Sequence, residues 1–187
     1  MRSIKTVLFV LTLVLICSTN LKAQNNISPP SEGNTVIYFL RTTSLGGLMN
    51  FRFFEEGNFI GKFNGRNYIR YECDPGESVF WVKAENIDVL KTNLEANKIY
   101  LVEANAVMGA MSAGVKFKLV DFENEKQMKR INKLLDTKEA VELTDDEIKV
   151  EQEKSKLVVQ RGMKTVSKKL KKGKRLKVIT PEMDYKQ

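Results

Sequence analysis

The chain has 187 residues, with 31 lysines and arginines against 23 aspartates and glutamates, no histidine, and a net charge of +8. The lack of histidine excludes Ser-His-Asp and Cys-His nucleophilic sites and removes the usual ligand sets of zinc and copper. Carboxylate, lysine or tyrosine chemistry survives that exclusion, and no spacing in the chain advertises any of them.

The amino-terminal segment reads as a secretory signal peptide. Arg2 and Lys5 precede an almost wholly apolar run at 7–16 (VLFVLTLVLI), and a polar stretch then leads to Leu21-Lys22-Ala23-Gln24. A cationic start, a short apolar core and a small residue before the cut are the layout of a cleaved leader. The run is shorter than the roughly 20 residues a spanning helix needs. Cleavage is expected between Ala23 and Gln24. The alternative is lipoprotein processing at Cys17, where Ile16 stands in place of the usual small residue. Cleavage at Ala23 leaves Cys73 as the one remaining cysteine, so no internal disulfide is expected and the fold must rest on burial.

Residues 24–34 (QNNISPPSEGN) are polar, carry a Pro-Pro pair and read as a linker. From 35 to 122 the chain alternates strand-like runs with turn signals. Residues 35–41 (TVIYFLR) are apolar on both faces, as a central strand is. Residues 49–55 alternate, and Glu56-Gly57 turns them into 58–63. Asn64-Gly65 leads into 67–73, and Asp74-Pro75-Gly76-Glu77 forms a tight turn before 78–84, which holds the only tryptophan. A polar strand at 87–94 suits a sheet edge, followed by strands at 98–106 and 115–119 with a glycine-bearing loop at 108–114 between them. These runs predict an antiparallel β-sandwich of seven to eight strands with a C-terminal helical extension.

After Phe122 the period changes. Met128, Ile131 and Leu135 have helical spacing over 124–138. Thr144-Asp145-Asp146-Glu147 is a capping box, opening a helix that runs to about Lys172 with Val159, Met163, Val166 and Leu170 on one stripe. Gly162 weakens its middle. Residues 174–187 read as a loosely ordered end. Charge divides at the same place: residues 24–143 hold 15 basic and 16 acidic side chains, and residues 144–187 hold 13 and 7. This break predicts a β domain at 35–122 that shares few core contacts with the extension at 123–187.

The opening strand VIYFLR, the GNFIG hairpin, the NYIRYECDPGESVFWV run, NLEANKIYLVEA and the closing LVD together cover 36–121. In these features the chain resembles a family of bacterial exported proteins, many of them lipoproteins, whose domain has no assigned function. More loosely, it is similar to PEGA-type β modules of bacterial surface proteins. The resemblance implies a β-sandwich of the periplasm or envelope and carries no catalytic residues to transfer.

Four groups invite a functional reading. Tyr68, Tyr71, Phe80, Trp81 and Tyr100 could line a binding face, although aromatics dominate β cores and packing is the expected role. The 108–114 loop lacks the lysine and hydroxyl of a phosphate loop. Glu55, Glu56, Glu72 and Asp74 could supply a carboxylate pair for a hydrolase, but acids at strand ends and turns are ordinarily solvated. Arg161, Lys164, Lys168, Lys169, Lys171, Lys172, Lys174, Arg175 and Lys177 form a run with no acid between them, the strongest of the four. The function expected is a non-catalytic envelope module without cofactor, binding an envelope protein or an anionic surface of lipid or lipopolysaccharide. Nucleic acid is disfavoured, because no aromatics interleave the cations. The alternative is a minor carboxylate-based hydrolase.

Mass spectrometry of the exported protein should find Gln24 at the amino terminus. A diacylated fragment beginning at Cys17 would overturn this assignment.

Overall fold

A computed structural model describes residues 27–109, 113–173 and 176–186. The segment read as a leader, Cys17 and the Ala23-Gln24 bond lie outside the described residues. The chain forms β1 (Thr35–Arg41), β2 (Phe51–Glu55), β3 (Asn58–Phe63), β4 (Asn67–Cys73), β5 (Gly76–Lys83), β6 (Ile87–Leu94), β7 (Ile99–Met108) and β8 (Ala113–Leu119). Helices α1 (Glu125–Thr137) and α2 (Asp145–Lys172) follow, then β9 (Lys177–Ile179) and a 3-10 turn at Pro181–Met183.

One sheet has the order β4-β1-β7-β8 and the other β3-β2-β5-β6-β9. Most pairs are antiparallel, but β1–β7 and β6–β9 are parallel, so the all-antiparallel expectation is corrected. The described residues also form nine strands rather than seven or eight. The extra strand comes from the end expected to be loose: residues 177–179 pair with Leu90, Lys91 and Thr92. A run of KVI carries too little pattern to read as a strand, and only the free edge of β6 makes it one. The β fold therefore draws a strand from beyond the boundary expected at 122.

β1 is central, paired along its length with Tyr71, Arg70 and Ile69 of β4 on one side and Tyr100, Leu101 and Val102 of β7 on the other. Its alternation sorts its residues onto two cores. Ile37 and Phe39 join a cluster drawn from both sheets that includes Phe51, Phe53, Phe63, Phe80 and Phe117. Val36, Tyr38 and Leu40 join a second cluster with Ile131, Leu134 and Leu135 of α1. β5 divides likewise. Phe80 and Val82 enter the shared cluster, while Trp81 belongs to a third one with Phe54, Phe59, Val89 and Val166 of α2. Both sheets thus carry an apolar outer face, and each outer face is covered by a helix.

This cover corrects the expectation that the helices share few core contacts with the strands. Trp81 is fully buried, stacks on Phe54 with ring centroids 4.0 Å apart, and donates from Nε1 to the Glu56 carbonyl oxygen at 2.7 Å. That bond steadies a turn in which Glu56 sits at φ 47. The indole lies against Gly162: a β-carbon there would stand 2.5 Å from Cη2 of the ring. Gly162 is therefore the notch that lets α2 lie on the tryptophan, not simply a weak point in the helix.

The sheet edges are closed by side chains. Asn86 accepts from the Val115 amide (2.6 Å) and donates to the Val115 carbonyl oxygen (2.9 Å), and Asp88 accepts from the Phe117 amide (2.8 Å), so β8 is capped. Gln152 of α2 accepts from the Phe59 amide (2.6 Å) and donates to the Gly57 carbonyl oxygen (3.0 Å) at the start of β3. β2 starts at Phe51, two residues later than its alternation suggests. The Met49 amide donates to Gly46, and the Met49 carbonyl oxygen accepts from the Arg41 guanidinium at 2.9 Å.

Two substitutions test the helix seat. Trp81→Ala should cost about 3–5 kcal/mol in chemical denaturation. Gly162→Ala should also destabilise, although alanine favours a helix by about 1 kcal/mol. A rise in stability would show that the ring yields and that the close approach matters little.

Candidate functional site

Helix α2 carries the candidate site, and its sequence fixes its ends. The Glu147 amide donates to Thr144 Oγ1 (3.3 Å), and Glu147 Oε2 accepts from the Thr144 amide (2.9 Å), closing the capping box. Gly173 ends the helix at φ 61, its amide donating to Leu170 and Lys169. Asp145, Asp146 and Glu147 occupy the first turn and Lys169, Lys171 and Lys172 the last. Both groups complement the helix dipole.

The inner face is occupied. Val166 is buried against the Trp81 cluster, and Val158, Val159, Met163 and Leu170 pack around it. The stripe of Val159, Met163, Val166 and Leu170 is therefore spent on docking against the strands. Glu151 pairs with Arg52 and Lys62, each at 3.0 Å, and Ser155 accepts from Arg52 at 2.8 Å. The neighbouring cations hold the Glu151 carboxyl below its usual range, led by the hydrogen bond from Lys62.

The outer face is what remains. At about 100° per residue, Arg161, Lys164, Lys168, Lys171 and Lys172 fall within an arc of about 100° opposite the docked stripe. All five are exposed, and among the described residues none has an acidic partner. Met163, Lys164, Ser167, Lys168 and Lys171 line a shallow groove along its flank. No acidic residue occurs between Glu153 and Glu182.

The nine-residue run does not act as one group. Lys169 and Lys177 turn to Asp88 of β6, at 3.7 Å and 2.8 Å. Sequence reasoning missed Asp88, which ties α2, β9 and β8 together, because its ion-pair partners lie more than 80 residues further on and no periodicity links it to the Phe117 amide. Lys174 and Arg175 lie outside the described residues.

The other sequence candidates resolve as follows. Tyr68, Phe80, Trp81 and Tyr100 are buried, so the expected packing role holds for them. Tyr71 is half-buried and donates to Glu55 Oε2 at 2.8 Å. Glu55 also accepts from Ser78 (2.7 Å), whereas Glu56 and Asp74 are exposed. The structure gives Glu55 and Glu72 separate hydrogen-bonding partners. Glu72 accepts from the Ser31 amide (2.8 Å) and Asn34 (3.2 Å) and pairs with Arg70 at 3.0 Å, pinning the segment before β1. These donors, Ser31 first, bring the Glu72 carboxyl down to about 2. Burial and the nearby Glu55, Asp74 and Glu72 push the Cys73 thiol up to about 12, so it stays protonated and a poor nucleophile at neutral pH.

Among the described residues no cluster of three or more acids or cysteines is placed to hold a metal ion, and no helix is long and apolar enough to cross a membrane. No family model, curated protein or solved structure matches the chain.

The Glu72 clamp has a pH signature. A carboxyl lowered by folding contributes stability above its unfolded pKa and loses it as pH falls through the folded one. Glu72→Gln should therefore lower the thermal midpoint at neutral pH, and the gap to the parent should close as pH falls from about 4.5 toward 2. A gap that persists at pH 2 would mean that packing, not charge, holds the clamp.

Proposed function

We infer that the protein is a non-catalytic module of the cell envelope, exported by its amino-terminal segment. In this reading its two sheets form a β-sandwich, and the outer face of α2 attaches it to an anionic surface. Support for the sandwich comes from the cluster that takes Phe39, Tyr100 and Phe117 from one sheet and Phe53, Phe80 and Leu90 from the other. Support for the location comes from the leader pattern and from the resemblance of residues 36–121 to exported envelope proteins.

One observation carries the binding reading. Five cations stand exposed on one arc of a helix whose opposite face is fixed against Trp81, so their direction is set by the fold rather than by chance exposure. A helix free to roll would not present a constant face. The chemistry that fits is a surface of phosphate groups, whether acidic phospholipid or lipopolysaccharide. Each cation near such a surface contributes about 1 kcal/mol, and the attraction fades over a Debye length of about 8 Å at physiological salt.

The test compares the full mature chain with a variant in which Arg161, Lys164, Lys168, Lys171 and Lys172 are all changed to Gln. Their exposure predicts an unchanged thermal midpoint, whereas cutting the chain after Gln160 would strip Gly162 and Val166 from Trp81. Co-sedimentation with phosphatidylglycerol vesicles at low salt should fall by roughly a thousandfold in partition coefficient. Lipopolysaccharide aggregates in a parallel arm distinguish the two sources. Equal binding by both chains, or binding indifferent to salt, would reduce the cationic arc to a solubility feature.

A further inference from the structure

The segment between β1 and β2, residues 42–50 (TTSLGGLMN), contains no charged residue and is tied down by one side chain. Its anchor is Arg41, which is fully buried. The guanidinium lies over the Phe51 ring, 4.1 Å from its centroid. It donates to three loop carbonyl oxygens: Met49 at 2.9 Å, Leu45 at 2.7 Å and Gly46 at 2.6 Å. Burial lowers its pKa from the ordinary value, yet a guanidinium keeps its proton at neutral pH.

Burying that cation against carbonyl dipoles costs free energy, because among the described residues no carboxylate pairs with it. What it achieves is a fixed loop shape. Gly46 takes φ +63, a β-carbon there would stand 3.3 Å from Cβ of Ala106, and the Gly65 amide donates to the Gly47 carbonyl oxygen at 2.9 Å. Out of this braced loop project two leucines, Leu45 at 52% exposure and Leu48 at 96%. Leu48 therefore makes almost no contact with the rest of the chain.

At the base of the loop lies a polar cleft of about 380 Å³ lined by Ser44, Asn64, Arg66, Asn67, Thr137 and Lys138. It holds two cations, amides and hydroxyls, and no acid. The Nε of Arg66 is buried there without a hydrogen-bond partner among the described residues.

We propose that this end of the molecule inserts into a lipid surface, with Leu45 and Leu48 entering the acyl boundary and the cleft receiving the phosphate of a lipid headgroup. An uncharged, projecting apolar tip beside a cationic, acid-free cleft matches the layering of a bilayer face, apolar below and anionic above. A rigid loop loses little conformational entropy on insertion, which gives the Arg41 brace a purpose. The contact goes beyond the α2 reading. It uses other residues, and the insertion of its leucines is driven by a force that salt does not screen, so the two stand or fall separately.

The experiment places a reporter at the tip. Leu48→Trp in the full mature chain adds one indole to the buried Trp81, which stays silent to quenchers in the membrane. With phosphatidylglycerol vesicles the new emission should shift to the blue and be quenched by lipids brominated in the acyl chains. The shift should persist when the five α2 cations are also changed to Gln. Leu45→Ser with Leu48→Ser should weaken binding about tenfold or more at high salt, with an unchanged thermal midpoint. Arg66→Gln should erase the preference for phosphatidylglycerol over phosphatidylcholine at the tip. An indole that reports water throughout, whether or not the protein sediments, overturns insertion and leaves the tip as a contact for a protein partner. Quenching that vanishes when the α2 cations are removed overturns the independence of the site.

Discussion

Four large side chains on the outside of the five-stranded sheet, Phe54, Phe59, Trp81 and Val89, set the constraint from which the remainder follows. Left in water, such a patch invites association. Helix α2 covers it, and the cover has only one good orientation. The indole needs a residue without a β-carbon above it, and Gly162 is the one glycine within α2. Once Gly162 faces Trp81, the helix cannot roll. Val158, Val159, Met163 and Leu170 must then flank the contact, and Arg161, Lys164, Lys168, Lys171 and Lys172 must face out. The direction of the charged arc is thus a consequence of core packing.

The same economy appears at the margins of the sheets. Unpaired strand edges expose donors and acceptors that recruit other strands. Here Asn86 and Asp88 satisfy β8, and Gln152 satisfies the start of β3. Glu72 holds Ser31 and Asn34 beside β4. With these edges occupied, pairing with a partner strand is disfavoured there. The outer face of helix α2 and the braced loop after β1, by contrast, present side chains rather than backbone.

Much of the local structure was legible in the sequence, because it depends on neighbours a few residues apart. The alternation in β1, the turn at Asp74-Pro75-Gly76 and the Thr144–Glu147 box state their own geometry. The single run of nine cations was legible too, but not its division. Lys169 and Lys177 are drawn to Asp88, and no periodicity in the helix predicts a partner on β6. Leu45 and Leu48 gave no signal either. In a β-rich chain an apolar residue near a strand is expected inside, and only the buried Arg41 reverses that.

The sequence by itself determined where the first eight strands and both helices form, since propensity, alternation and capping act over one or two turns of chain. It also determined that the chain has no histidine chemistry, and that charge gathers toward its end. Tertiary structure decided everything that depends on two distant segments meeting. It made residues 177–179 a strand by offering them the edge of β6. It turned Gly162 from a helix defect into the seat of Trp81. It also separated cations that pair from cations that face water. These outcomes rest on close packing between residues some 80 to 90 positions apart, and no local pattern records that distance.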